Sequence, residues 1–195
     1  LSYSDNKGVT GLYGKVDDGR YEEIPGVITG GGTTVTKDYA CVEGTHTYTF
    51  KAVDAAGNET VTDALTVKRD TIKPMIGDAA FNEGYKNLWN WLIRKDSLEI
   101  TVPVEEAGSG IESVEYKLIP EDSSTAGQPS VKKASVENRA GYKAVIYINP
   151  DFKGKIMITA RDHAGNVSDT KMIGTDGSGI HGIIVEDNAP EITFL

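Results

Sequence analysis

The sequence predicts an all-β chain built as β-sandwiches in tandem, and three observations carry that prediction. Apolar and polar residues alternate over short runs, the period of a half-buried strand. Glycine is abundant, 22 of 195 residues, while aromatics make up 8%; that balance suits many tight turns between short strands. The longest motif in the chain occurs twice, and internal repetition is the signature of modular architecture.

The repeated motif is a strand running into a turn. Tyr48-Thr49-Phe50-Lys51-Ala52-Val53-Asp54-Ala55-Ala56-Gly57-Asn58 recurs as Ile156-Met157-Ile158-Thr159-Ala160-Arg161-Asp162-His163-Ala164-Gly165-Asn166. Tyr48, Phe50 and Ala52 share one face in the first copy; Ile156, Ile158 and Ala160 share one in the second. Each face is expected to lie on a sandwich core. An earlier echo matches Gly8–Val16 with Gly110–Leu118, where Val9, Leu12 and Val16 correspond to Ile111, Val114 and Leu118. A third closes each copy: Asp70-Thr71-Ile72-Lys73-Pro74 and Asp187-Asn188-Ala189-Pro190. Proline fixes φ and biases its predecessor to extended geometry, so these segments are expected to be stiff linkers.

The echoes set the organisation. Residues 1–71 form a module lacking its first strand, because Leu1 to Asp5 sit where the end of a second strand belongs. Residues 72–187 form a complete module with insertions. Residues 188–195 are a linker and the first strand of a following module or, alternatively, a terminal strand paired back onto a neighbour. The abrupt start and end are expected of an excised segment. Asn87 to Lys95 is expected to be a short helix or an irregular edge segment. Pro120–Pro129 and Gly174–Gly182 are expected loops.

These motifs resemble the bacterial immunoglobulin-like repeats of Gram-positive cell-surface proteins. In such repeats a Tyr-x-Phe-x-Ala-x-Asp strand enters an Ala-Gly-Asn turn, and the next strand leads to Asp-x-x-x-Pro. The resemblance covers nearly the whole chain apart from the Trp89 region and residues 120–140. It implies tandem immunoglobulin-like β-sandwiches, an extracellular location attached to the cell wall or cell surface, and a role as spacer, stalk or adhesin. The implied partners are neighbouring modules of the same chain and a host glycan or matrix protein. Fold alone carries function no further.

Charge and motif content narrow the classes. A net charge of −9 repels phosphate backbones, which argues against nucleic acid. No Lys/Arg cluster suits an anionic membrane, and no apolar run reaches spanning length. Cys41 is the single cysteine, so an intrachain disulfide is impossible. A thioester with Gln128 would need a partner from the other module, and the Lys, Asn and acid set of an isopeptide cross-link does not stand out. His163 sits in the repeated turn where the first copy has Ala55, so the turn does not need it; His46 and His181 have no ligand-spaced partner, and no Gly-x-Ser-x-Gly elbow occurs. The sequence is therefore that of a non-enzyme.

Four groups of residues are candidates for a site. Asp54, Gly57, Asn58 and their counterparts Asp162, Gly165, Asn166 are expected to be structural: Gly where φ is positive, Asp accepting loop N–H bonds, Asn bonding its own loop. Asp70, Asp162, Asp187 and Asn188 are oxygen donors near module ends and candidate calcium ligands, since calcium takes six to eight oxygens; no other cofactor is expected. Trp89, Trp91 and Arg94 are candidate glycan or protein contacts, the indoles two apart and so on one side of a strand. The Gly174–Gly182 loop is the other candidate surface.

Overall fold

The alternating runs become strands, and no helix occurs among the described residues. The computed structural model describes residues 1–26, 35–36, 38–122, 130–174 and 180–187. Contacts divide the chain into two units, Leu1–Thr71 and Ile72–Leu195.

The first unit contains β1 (Ser2–Tyr3), β2 (Val9–Val16), β3 (Glu22–Glu23), β4 (Val35–Thr36), β5 (Gly44–Asp54), β6 (Glu59–Val61) and β7 (Leu65–Arg69). One sheet has the order β3-β2-β5-β6, with β7 also on β5; β1 and β4 form a separate antiparallel ribbon. β2 pairs with β5 from Val9↔Asp54 to Val16↔Tyr48, which sets Leu12 opposite Ala52 and Gly14 opposite Phe50. These residues share the inner face. Leu12 and Tyr48 are buried, while Phe50 and Ala52 are only half-buried against the small cluster of Tyr3, Val9, Leu12 and Ile24. Tyr39 stands edge-on to Tyr48 and Phe50, with ring centroids 5.9 and 5.1 Å away, a favoured arrangement for aromatic quadrupoles. On the outer face Lys51 lies over the Tyr13 and Tyr21 rings and pairs with Glu59 at 2.8 Å.

The second unit contains β8 (Met75–Ile76), β9 (Ala80–Phe81), β10 (Lys86–Leu88), β11 (Trp91–Arg94), β12 (Leu98–Glu105), β13 (Ile111–Pro120), β14 (Val131–Lys133), β15 (Ser135–Asn138), β16 (Tyr142–Ile148), β17 (Phe152–Asp162), β18 (Lys171–Ile173) and β19 (Gly182–Val185). One sheet has the order β10-β11-β19-β17-β13-β14, with β18 also on β17; the other has β15-β16-β12-β8, with β9 also on β12. Alternate residues of both sheets enter one core. Leu98, Ile100, Val102 and Val104 come from β12, Ile146 and Ile148 from β16, Val114 from β13, Ile156 and Ile158 from β17, and Ile183 and Val185 from β19. Ile100, Ile156, Ile158 and Ile183 are wholly buried. Each such side chain contributes roughly 1.5–3 kcal/mol by leaving water. The arrangement is sandwich-like, and it is all-β as the alternation predicts.

One local feature repeats in both units. The β2–β5 ladder slips between Val9 and Gly11, and the β13–β17 ladder slips between Ile111 and Ser113. Each slip is a bulge that re-aims the strand just after its opening turn. A feature peculiar to the second unit is Gly154: a Cβ there would collide with the Ile119 carbonyl across the ladder. Gly154→Ala should destabilise this unit by about 1–3 kcal/mol, seen as a lower denaturation midpoint with an unchanged slope.

The structure differs from expectation in one segment. Residues 86–94 lie at the edge of the sheet but form neither a helix nor an irregular segment; they are a regular hairpin, in which β10 pairs antiparallel with β11 and sets Leu88 opposite Trp91. β11 then pairs in parallel with β19, setting Leu92 opposite Ile183. Leu92 is buried, so long-range pairing with β19 fixes a segment whose local pattern is ambiguous. Cys41 is half-buried and lies just before β5. Residues 188–195, expected to form a linker and strand, lie outside the described residues.

Candidate functional site

The repeated Asp-x-Ala-Gly-Asn turn has nearly the same hydrogen bonds in both units. Asp54 Oδ1 accepts the N–H groups of Ala56 and Asn58, each at 2.8 Å, and Oδ2 accepts Asn58 Nδ2 at 2.7 Å. Asp162 Oδ1 accepts the Asn166 N–H and Oδ2 accepts Asn166 Nδ2, both at 2.8 Å. In each turn the glycine N–H closes back on the aspartate carbonyl at 3.2 Å. Gly57 and Gly165 have φ of 87° and 95°, the left-handed region that L side chains avoid. The Asn58 side-chain amide, followed by backbone N–H groups, holds the Asp54 carboxyl below its ordinary value. The turns differ in burial: Asp162 is wholly buried and Asp54 is not.

Trp89, Trp91 and Arg94 are placed apart in role. Trp89 and Asn90 form the tip of the β10–β11 hairpin, with φ of 51° and 64°. Two left-handed central residues are the geometry of a type I′ turn, which favours Asn and Gly. A tryptophan there is strained, and Trp89 is 85% exposed. Trp91 is half-buried: its indole covers Gly182, where a Cβ would collide with the ring, and Lys153 Nζ lies 5.1 Å from a ring centroid. The two indoles therefore do not share one side of a strand, because Trp89 belongs to the turn. Arg94 donates through Nε to the Ser97 carbonyl at 3.2 Å and through Nη1 to the Glu83 carbonyl, so its guanidinium fastens the neighbouring loops. Acrylamide quenching should therefore find one accessible and one shielded indole. Trp89→Ala should remove the accessible component and shift stability by no more than about 0.5 kcal/mol, as is usual for exposed positions.

The candidate calcium donors differ in exposure. Asp187 is exposed, Asp70 is half-buried at the end of the first unit, and Asn188 lies outside the described residues. Asp162 uses both oxygens on Asn166. A carboxylate missed in the sequence stands nearby: Glu106, whose acidic oxygen comes within 4.8 Å of one on Asp162. Glu106 Oε1 accepts the Gly108 N–H at 2.6 Å. Its Oε2 is buried and has no hydrogen-bond partner among the described residues. A buried oxygen without a donor is costly, and two adjacent carboxylates favour a cation. The Glu106-Ala107-Gly108-Ser109-Gly110 spacing was the available signal, a carboxylate followed by a glycine-rich loop. Of the Gly174–Gly182 loop, residues 175–179 lie outside the described residues; Gly174 and Gly182 flank it.

Compared with known proteins, the chain matches no family model and no curated protein sequence.

Proposed function

We propose that the chain is a non-catalytic structural and adhesive segment of a bacterial surface protein, a spacer or stalk of tandem immunoglobulin-like modules. Its setting on this reading is extracellular, attached to the cell wall or surface, with neighbouring modules as its constant partners. The observation that carries the proposal is the same aspartate-held turn at the end of the long strand in each unit. A module copied along a chain needs its own closure at each copy, and this turn supplies one without a disulfide. The strand order of the second unit supports the mechanical part. β19, its last described strand, is held between β11 and β17, so tension on it must shear hydrogen bonds on both sides rather than peel one edge.

A second reading is favoured by Trp89. A strained, exposed indole at a hairpin tip contributes little to the core and suits contact with a glycan face or an apolar protein surface. An array of host glycans and matrix proteins separates the two. As a spacer, the chain binds nothing above background. Specific binding that is lost in Trp89→Ala would replace the spacer reading with a binding module.

Calcium remains a proposal resting on Glu106. Beside Asp162, the unpartnered Glu106 Oε2 offers a hard oxygen to a hard cation, although this pair alone falls short of a full coordination shell. If calcium binds there, adding it to stripped protein releases heat and raises the melting temperature of the second unit, and Glu106→Gln weakens both effects. No heat and no rise would remove calcium from the segment.

A further inference from the structure

A histidine in the first unit is held in a way that only its protonated form can satisfy. His46 Nδ1 lies 2.7 Å from Asp17 Oδ2, and His46 Nε2 lies 2.8 Å from the Glu43 carbonyl oxygen. Both oxygens are acceptors. A carbonyl has no proton to give, and the Asp17 carboxyl is held down to about 2, first by its bond with His46 and then by the Thr47 N–H. A neutral imidazole carries one N–H and would turn a lone pair toward one of these oxygens. The imidazolium donates to both.

The two acceptors belong to different parts of the unit. Asp17 follows β2, and its carboxylate also takes the Thr47 N–H at 2.8 Å and the Thr47 hydroxyl at 3.1 Å. Glu43 precedes β5, and its side chain holds the end of the unit. Glu43 Oε1 accepts the Thr71 N–H at 2.6 Å, and Oε2 accepts the Thr71 hydroxyl at 3.0 Å and pairs with Arg69 at 3.3 Å. Lys68 stands opposite Thr45 in the β5–β7 ladder, and Val67 stands opposite His46 itself. Asp17 is the charge whose field reaches the imidazole; Arg69 is engaged by Glu43 and by the Cys41 carbonyl.

We propose that His46 is a proton-operated latch: as imidazolium it ties Asp17 to the Glu43 main chain, and through Glu43 it steadies Thr71, where β7 leaves the unit. When the proton is lost, Asp17 keeps the remaining N–H and the Glu43 carbonyl faces a lone pair. The segment before β5 is then released, and with it the anchorage of Arg69 to Thr71. The inference is independent of whether the chain acts as a spacer or as a binding module.

The direction with pH follows from linkage. The hydrogen bond with Asp17, then that with Glu43, raises the His46 value above 6.5. Its stabilisation is complete below the unfolded value and is lost as pH rises through the folded one. Asp17 acts oppositely: its contribution is complete above its ordinary 3.8 and is lost as pH falls toward about 2. The latch is therefore closed between these two titrations.

Proton NMR of the full chain tests this, with the histidine nitrogens and backbone amides followed from pH 5 to 9. His46 should titrate above a free histidine, with both nitrogens bearing protons below its midpoint. The Glu43 and Thr71 amide shifts should move with that midpoint. In His46→Gln the Thr71 movement should disappear, and in Asp17→Asn the His46 midpoint should fall. A His46 midpoint at or below that of free histidine would overturn the latch. So would a Thr71 amide that ignores the titration in the unmodified chain, a result that does not depend on either variant folding.

Discussion

Ile158→Ala should lower the unfolding free energy of the second unit by about 2–5 kcal/mol, the range for deleting a fully buried branched side chain without collapse of the cavity. Ile158 is wholly buried in β17, opposite Tyr116 of β13. Both faces of the core close on it, and little space is free to relax. Its counterpart in the repeated motif is Phe50, which is only half-buried. Phe50→Ala should therefore cost the first unit clearly less than a core phenylalanine normally would. Both tryptophans lie in the second unit, so indole fluorescence follows its unfolding separately. Urea titrations read by fluorescence and by circular dichroism measure the two effects in one protein. Equal losses at the two positions would mean that the units are packed alike.

The second large effect concerns the turn. Asp162→Ala should destabilise the second unit by about 1–3 kcal/mol, because it removes a wholly buried carboxylate that accepts the Asn166 N–H and shares the Asn166 side-chain amide with the Ile72 carbonyl. Asp162→Asn keeps one acceptor for the Asn166 N–H but sets an NH2 group against Asn166 Nδ2, so it should recover only part of the loss. Asp54→Ala removes the same bonds in the first unit, where water can replace them, and its effect should be smaller. Matching losses for Asp162→Ala and Asp54→Ala would show that burial does not set the worth of this turn.

Both comparisons show which features were legible in the sequence. The long strands β5 and β17 announce themselves by alternation, and the glycine and asparagine of their turns follow from backbone geometry. What differs between the copies is burial, and the motif does not encode it. Tyr48, Phe50 and Ala52 alternate as cleanly as Ile156, Ile158 and Ala160, yet only the second set is fully enclosed. The 86–94 hairpin was hidden for two reasons. Its turn uses Trp89 and Asn90 instead of the usual Asn-Gly, and its partner β19 is distant in sequence, as parallel pairing requires. Glu106 was one acid among 29 acidic residues; only folding shows that its Oε2 is buried beside Asp162. The His46 arrangement joins Asp17, Glu43 and Thr71 at the ends of β2, β5 and β7, and no local spacing foretells it.

The proposal that this chain is a tension-resisting spacer is tested most directly by stretching one molecule from its two ends. Two separate unfolding events are predicted, the weaker from the sparsely packed first unit and the stronger from the second, where β19 must shear from both β11 and β17. Ile158→Ala should lower the stronger event and leave the weaker one in place. Gradual lengthening at low force, with no distinct events, would contradict the proposal.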